Sequence, residues 1–587
     1  MNINKSIQLA IEHHQAGNLQ QAEHIYKRIL KVQPDNADAL HFLGIIYYQL
    51  RNYDLAIEYL KKVLQFNPAN ADAHYNLGIA FQEKGQIDEA IRCFQKTTEL
   101  DPNFAMAYCN LGVALQEEKG QLDEAITYYQ KALQLSPNLV YAHYNLGNAL
   151  QDKGQLDEAI SSFQKAIELN PNYAMAYYNL GNALREKGQR DEAITCLQKA
   201  IELDPNYAAT HNNLGIAFKE KGQLDVAITC FQKAIQFDSD YAMAYCNLGS
   251  ALKEKGEFDE AITYYQRSLQ LSPDLVDAHF NMSLIFLLLG NFEEGWKEYE
   301  WRWKLKDFYR RSFSQPSWDG YDIKGLTILL YAEQGLGDTI QFIRYVPLVA
   351  QQGAKVAVEC QRGLTSLLKN VAGIQEIIAH GEKLSEFDIH CSLLTLPLVF
   401  DTTLEDIPAQ VPYIKADSIL VQKWHEKIIL DNSKFKIGLV WAGDPRLKDD
   451  RTRSCSLEIF SPLAQINGIT FYSLQKGETA NQAKNPPEGM KLIDYTEEIK
   501  DFSDTATLIE NLDLVISVDT AVVHLAGALG KPVWTLLPFV PDWRWLLKRE
   551  DSPWYPTMRL FRQPSRGDWN TVIANVLNKL QKELIKD

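Results

Sequence analysis

Residues 142–171 read AHYNLGNALQDKGQLDEAISSFQKAIELNP. Leu146 and Leu150, then Ile160, Phe163 and Ile167, recur at helical spacing, so the stretch predicts two short amphipathic helices joined at Gly154-Gln155. Gly147 in the first and Ala159 in the second are small where two helices must approach closely, and Pro171 ends the pair because proline cannot continue a helix.

The unit is repeated. Gly44, Gly78, Gly112, Gly147, Gly181, Gly215 and Gly249 recur every 34 residues with one 35-residue step, and a second punctuator runs from Gly17 through Arg51 to Gly290, giving nine units from about Ile3 to Trp303. Leu-Gly, Ala-x3-Phe and a terminal proline resemble the tetratricopeptide (TPR) pattern. One helix pair cannot bury both faces, so neighbours stack into an all-α superhelix (solenoid) with a long concave groove, for which binding a polypeptide or protein partner is the expected role. Asn76, Asn110, Asn145, Asn179, Asn213, Asn247 and Asn281 hold one position of successive repeats, while Phe42 takes it in the second. Two readings stand: a ladder of amides for an extended peptide backbone, or bonds within the repeats or to water. The array is similar to the superhelix of O-linked N-acetylglucosamine transferase, which implies the ladder. The extra residue within Leu115–Gly120 predicts either a bend or a lengthened helix end.

At 587 residues the chain exceeds one hydrophobic core, and a formal charge of −16 argues against nucleic-acid binding, which needs a basic surface. The eight cysteines are dispersed, lack zinc spacing and read as buried, reduced thiols. Met1–Ala10 has no secretory pattern, and no apolar run approaches the roughly 20 residues of a spanning helix. A cytoplasmic location is expected, with peripheral membrane association left open.

After the repeats, Trp296, Tyr299 and Trp303 stand at i, i+3 and i+7 and predict an aromatic face that packs the last helix on a following domain; a carbohydrate-stacking platform is the alternative. Beyond a linker, the period changes. Leu326–Ala332 reads as a strand, Gly335-Leu336-Gly337-Asp338 as a loop, Thr339–Gln352 as a helix and Lys355–Cys360 as a strand. Further strands are expected in Lys436–Pro445, Ile469–Gln475 and Leu512–Pro538. Strands alternating with helices predict parallel α/β architecture in two Rossmann-like lobes meeting across a cleft. The expected divisions are a superhelix over 1–305, a linker over 306–324, a first lobe over 325–412, an interlobe segment over 413–434 and a second lobe over 435–587.

The first loop is neither a dinucleotide fingerprint nor a Walker loop. Asp338 reads as a helix cap or as a general base facing the cleft. In Ser517–His524 (SVDTAVVH) an apolar strand runs through polar residues into a helix, whose amides and Thr520 hydroxyl suit a diphosphate, with His524 one turn on; a capped helix with a buried histidine is the plainer alternative. In Pro541–Pro556, Arg544 or Arg549 either holds phosphate or is solvated on a packed loop.

GLGD in one lobe with VDTAVVHLAGALGKPV in the other resembles the ADP-heptose heptosyltransferase group, inverting glycosyltransferases of GT-B fold. The resemblance implies Asp338 as catalytic base and Asp519, Thr520 and His524 at the diphosphate of a nucleotide-sugar donor, a UDP- or ADP-sugar. The same site would include Gly335, Gly337, Gly443, Ala521 and Arg544. Ala521 replaces the family's usual glycine. A lysine after the second lobe's first strand lacks a clear counterpart, for which Lys448, Arg451 and Arg453 are candidates. Absence of a D-x-D in this half implies no metal; Asp449-Asp450 alone is a weak signal. The expected function is an inverting, metal-independent hexosyl- or heptosyl-type glycosyltransferase acting on a protein or glycan acceptor recruited by the repeats. The alternative is a TPR scaffold with a catalytically inactive transferase-like domain.

Overall fold

The computed structural model describes residues 2–306, 308, 311–446 and 450–584. The chain forms two compact units, residues 1–244 and 245–587. In the first, paired helices follow the repeat, as in Val140–Asp152 and Leu156–Leu169. A β-carbon built on Gly147 would stand 2.5 Å from Cε1 of Phe163, so the glycine is what lets the two helices of that repeat close on each other. The turn glycines have a different reason: Gly154 has φ +78°, and Arg51 holds the same left-handed turn at φ 58° without a glycine's freedom. The extra residue lies in a longer helix, Ala105–Lys119, of 15 residues against 13 for Val140–Asp152, so the helix end absorbs it.

The second unit begins with the last repeats, ending in Val276–Leu289, Phe292–Tyr299 and a 3-10 turn, Glu300–Lys304. The change of winding takes Trp303 off the helix that carries Trp296 and Tyr299, so the expected single face is split. Trp296 and Tyr299 still pack on the α/β region, since both are buried and Trp296 donates its indole N–H to the Thr402 carbonyl at 3.0 Å. This burial rules out a sugar platform at those two rings. The segment expected as a linker is fastened: Ser317 bridges His390 and Trp318 is buried.

The first α/β sheet contains β1 (Thr327–Tyr331), β2 (Lys355–Cys360), β3 (Ile374–Ala379) and β4 (Ile389–Ser392), all parallel, in the order β3-β2-β1-β4. The second contains β5 (Phe435–Val440), β6 (Ile469–Ser473), β7 (Leu492–Asp494), β8 (Leu514–Val518), β9 (Val533–Leu537) and β10 (Met558–Arg562), in the order β10-β9-β8-β5-β6-β7. Its strands are also parallel, and its order is that of a doubly wound dinucleotide-type sheet. Both sheets reverse direction of winding beside their first strand, which locates a crevice at the carboxyl ends of β1/β4 and of β5/β8. The helix expected over Thr339–Gln352 is three pieces, Leu336–Phe342, Ile343–Tyr345 and Val346–Gln351, because Pro347 lacks the amide that would continue the first.

Candidate active site

Two chain reversals build the site. After β1 the backbone passes Glu333-Gln334-Gly335 into the helix Leu336–Phe342, and Asp338 falls in its first turn. Asp338 is thus not the cap residue itself; its Oδ2 reaches back to accept the Gly335 amide at 2.8 Å. After β8 the chain turns at Asp519 and Thr520 into the helix Ala521–Ala528. Thr520 caps that helix, accepting the Val522 amide at 3.3 Å, and its hydroxyl lies 3.1 Å from that of Ser517.

The two reversals touch. A β-carbon on Gly337 would stand 2.9 Å from Cδ2 of His524 and 3.5 Å from Cα of Ala521. Neither Gly335 nor Gly337 has positive φ, so no left-handed conformation calls for glycine there, and Gly337 is needed instead for the approach of one lobe to the other. His524 is buried, lies 3.0 Å from the Tyr555 hydroxyl through Nδ1, and stacks on Trp545 at 5.2 Å. Burial, with Arg544, Arg344 and Arg453 near, holds its imidazole well below the ordinary value. A neutral ring there can donate or accept one hydrogen bond but supplies no charge to a phosphate.

Arg544 is fixed by neighbouring side chains. It is not solvated: it is 7% exposed, its Nη2 pairs with Asp338, its Nη1 donates to Asp542 at 2.9 Å and its Nε to Gln341 at 2.8 Å. Arg549 is paired with Asp551 at 2.7 Å. Burial raises the Asp338 carboxyl above its usual range, Arg544 opposes that rise, and Asp542 adds to it. Asp519, 9% exposed, is pushed up to about 6 by burial and by Asp542, against the pull of Trp545, Arg453 and Arg544.

On the other side of the β5/β8 crevice, the loop after β5 is held by Gln475, whose Oε1 accepts the amides of Trp441 and Ala442 at 3.0 and 2.9 Å. Gly443 donates its amide to the Ser454 hydroxyl at 2.8 Å, and a β-carbon there would stand 2.9 Å from Nη2 of Arg453. Arg453 pairs with Asp450 at 3.3 Å, is only partly buried, and is near enough to Asp519 and His524 to influence both. Of the two candidates for the missing lysine that the structure describes, Arg453 is the one that acts on Asp519, whereas Arg451 is exposed. Lys448 and Asp449 lie outside the described residues. Among the described residues no group of three or more His, Cys, Asp or Glu could hold a metal ion.

Sequence reasoning missed Gln341, Arg344, Asp542, Trp545 and Tyr555. Gln341 sits in an apolar-looking helix, but its amide orientation is set by the Arg544 Nε it accepts, which leaves its own buried N–H₂ without a partner among the described residues. Arg344 is buried and joins the lobes, donating to the Trp554 carbonyl at 2.7 Å and the Tyr413 hydroxyl at 2.9 Å.

The repeat asparagines are half-buried, and six of the seven bond the repeat before their own. Asn110, Asn179 and Asn213 donate to Tyr75, Tyr144 and Tyr178 at 3.2, 3.1 and 3.0 Å, and Asn76 meets His41 at 2.8 Å. Asn145 bonds Cys109, and Asn281 donates to the Asp277 carbonyl at 2.8 Å while accepting Lys253 at 2.6 Å. Asn247 also has a partner. These amides form a bonded column whose donors are at least partly committed to bracing repeats. Where the column stops, Phe42 stacks on Tyr26 at 5.6 Å. The cysteines are thiols, five buried and three half-buried, and burial pushes Cys109 and Cys230 up to about 11.

Comparison with known proteins agrees with the two-part reading. TPR repeat models match residues 118–154, 147–184, 181–222 and 217–256, and tetratricopeptide repeat models match 7–73, 71–104, 93–127 and 242–275. The glycosyltransferase family 9 (heptosyltransferase) model matches residues 500–539. Protein FlbA of Caulobacter vibrioides is 26% identical over 318 residues, 49% of this chain and 52% of FlbA, so the chain spans about half the length of that relative. Among solved structures, YrrB, described as a TPR protein with an unusual peptide-binding site, is 28% identical with a TM-score of 0.29, covering 32% of this chain and 98% of YrrB. MamA is 34% identical with a TM-score of 0.26, covering 28% of this chain and 95% of MamA. No helix among the described residues is long and apolar enough to cross a membrane.

Proposed function

We propose that a TPR array and a glycosyltransferase of the family 9 type, GT-B in plan, work in one chain, moving a sugar from a nucleotide-sugar donor to an acceptor recruited by the repeats. One observation carries the reading: the matched stretch, 500–539, holds the β8 turn with Asp519, Thr520 and His524, and the loop bearing Asp338 lies against that turn through Gly337.

In this reading the donor diphosphate lies at the β5/β8 crevice, between the Gly443 loop and the amides that open Ala521–Ala528, with Arg453 beside it. Helix amides and a guanidinium supply the positive potential that a departing nucleoside diphosphate needs, so the transfer is metal-independent. Asp338 takes the proton of the acceptor hydroxyl as that oxygen attacks the anomeric carbon from the face opposite the diphosphate, inverting the centre. Neutral His524 shapes the site and offers one hydrogen bond. A protein acceptor fits the repeats best, because helical-repeat grooves bind polypeptides, and the bonded asparagine column restricts which of their amide atoms remain for it.

The test is turnover of a panel of UDP- and ADP-sugars with cell lysate, products read by mass spectrometry, in wild type, Asp338→Ala and His524→Ala. Loss of turnover in Asp338→Ala supports the base. Undiminished turnover in both variants overturns the site. No turnover and no thermal stabilisation by any nucleotide sugar points to a scaffold with a spent catalytic half.

A further inference from the structure

The end of the last repeat reaches the loop that carries Asp338. Tyr299 closes the helix Phe292–Tyr299, and its hydroxyl accepts the Gln334 side-chain amide at 3.0 Å. Arg302, on the 3-10 turn that follows, has no exposed surface and donates its Nε to Glu333 at 2.9 Å and its Nη2 to Thr395 at 2.8 Å. Glu333 follows β1 and Thr395 follows β4, so Arg302 spans the crevice where the first sheet reverses its winding, the place at which such a sheet ordinarily receives a ligand. The two side chains thus grip consecutive residues of the loop, Glu333 and Gln334, immediately before Gly335 and Asp338. Gln334 is held from its other side, its carbonyl accepting Gln361 Nε2 at 2.7 Å.

The same repeat also touches the other lobe. Trp296 and Tyr299 pack edge-on against Trp543 at 5.2 and 6.3 Å, and the Arg544 guanidinium lies over that same Trp543 ring at 4.2 Å. Arg544 and Asp338, which pair with each other, are each one residue layer from this helix end.

We infer that Tyr299 and Arg302 are positioning residues of the transfer site, so that the terminal repeat forms one wall of the catalytic centre in addition to any recruiting role of the array. The inference rests on the proposed glycosyltransferase reading. A side chain that orients a base acts on the turnover step and leaves donor affinity alone, since the donor lies at the β5/β8 crevice of the other lobe. Arg302 makes a poor first probe because its loss leaves Glu333 buried and unpaired. Tyr299 makes a good one, because Tyr299→Phe keeps every ring contact and removes a single hydroxyl.

The test compares full-length wild type, Tyr299→Phe, Gln334→Met and the double variant, with Asp338→Asn as control, well below their melting temperatures. Tyr299→Phe and Gln334→Met each lower kcat about tenfold with donor KM unchanged, and the double variant falls no further than either alone, because both remove one contact. If wild type turns over and Asp338→Asn does not, the functional reading stands; single variants then within twofold of wild type, or with additive losses, overturn this inference alone. A wild type without turnover, matching Asp338→Asn, overturns both.

Discussion

Arg544 of the second lobe and Asp338 of the first form an ion pair across the two lobes, through Nη2 and Oδ1. The carboxylate read as a base therefore has its proton affinity restrained by a residue that the other lobe delivers. Arg544 is fixed in turn by Asp542 and Gln341, so the pair is a built feature of the closed site. Burial raises the Asp338 carboxyl and Arg544 opposes it. In Arg544→Met the opposition is gone and the carboxyl rises further. Since a base works only when ionised, the acidic limb of the kcat/KM profile moves to higher pH, and the rate at pH 7 falls roughly 10- to 100-fold. A pH–rate series on both proteins checks this; coincident acidic limbs would remove Arg544 from any account of the base.

Gly337 and Gly335 separate two explanations of the loop. A side chain at 337 must enter the space of His524, a ring locked by Tyr555 and Trp545. At 335 a β-carbon meets only Oδ2 of Asp338, at 3.1 Å, on a backbone with φ −67° that any residue tolerates. Gly337→Ala lowers stability by about 1–3 kcal/mol and abolishes most turnover, while Gly335→Ala is milder in both. Thermal melts and initial rates decide it, and equal effects at the two positions would show that the loop's own turn, not contact between the lobes, is what glycine serves.

The repeats were legible because a 34-residue period reports a local fact many times over: Gly147 and Phe163 meet within one helix pair, as do Gly78 and Phe94. The strands flanking the β8 turn were legible for a similar reason, being continuous apolar runs ended by polar residues. What stayed hidden is contact between segments far apart in sequence. Nothing around Arg544 announces Asp338, 206 residues away, and nothing around Tyr299 announces Gln334. The short strand β4, Ile-His-Cys-Ser, lacks an apolar run of its own and is fixed by pairing with β1. The asparagine column was seen as a column, but a single repeat does not reveal that Asn110, Asn179 and Asn213 each bond the tyrosine of the repeat before.

Asp519 gives a stability prediction that does not depend on turnover. Its folded carboxyl titrates near 6 against an ordinary 3.8. The folded protein therefore binds that proton more tightly than the unfolded chain, so the group's contribution is present at pH below about 4 and is lost as pH rises through about 6. Asp519→Asn cannot ionise and escapes the penalty. The variant is more stable than wild type by roughly 1–3 kcal/mol at pH 7.5, and the gap closes towards pH 4. Urea unfolding at both pH values checks it; a gap independent of pH would mean that burial does not perturb this carboxylate.

Asn213 tests whether the asparagine column braces the solenoid or waits for a ligand. Its amide donates to the Tyr178 hydroxyl at 3.0 Å and to Oδ1 of Asn182 at 2.8 Å, tying its repeat to the one before. Repeat arrays unfold through their interfaces, so a bond between neighbours contributes to the whole array and not to one helix pair alone. Asn213 also accepts the Asn212 side-chain amide at 3.1 Å, so Asn213→Ala, at about 1 kcal/mol per bond lost, costs near 3 kcal/mol in all, and Tyr178→Phe, which removes only one of the three bonds, costs about a third as much. Chemical denaturation of the full chain, followed by helical circular dichroism, reads both. If Asn213→Ala leaves the unfolding curve unchanged yet weakens capture of a peptide partner, the amide serves the groove, and the bonds to Tyr178 and Asn182 hold it in readiness without bearing on the fold.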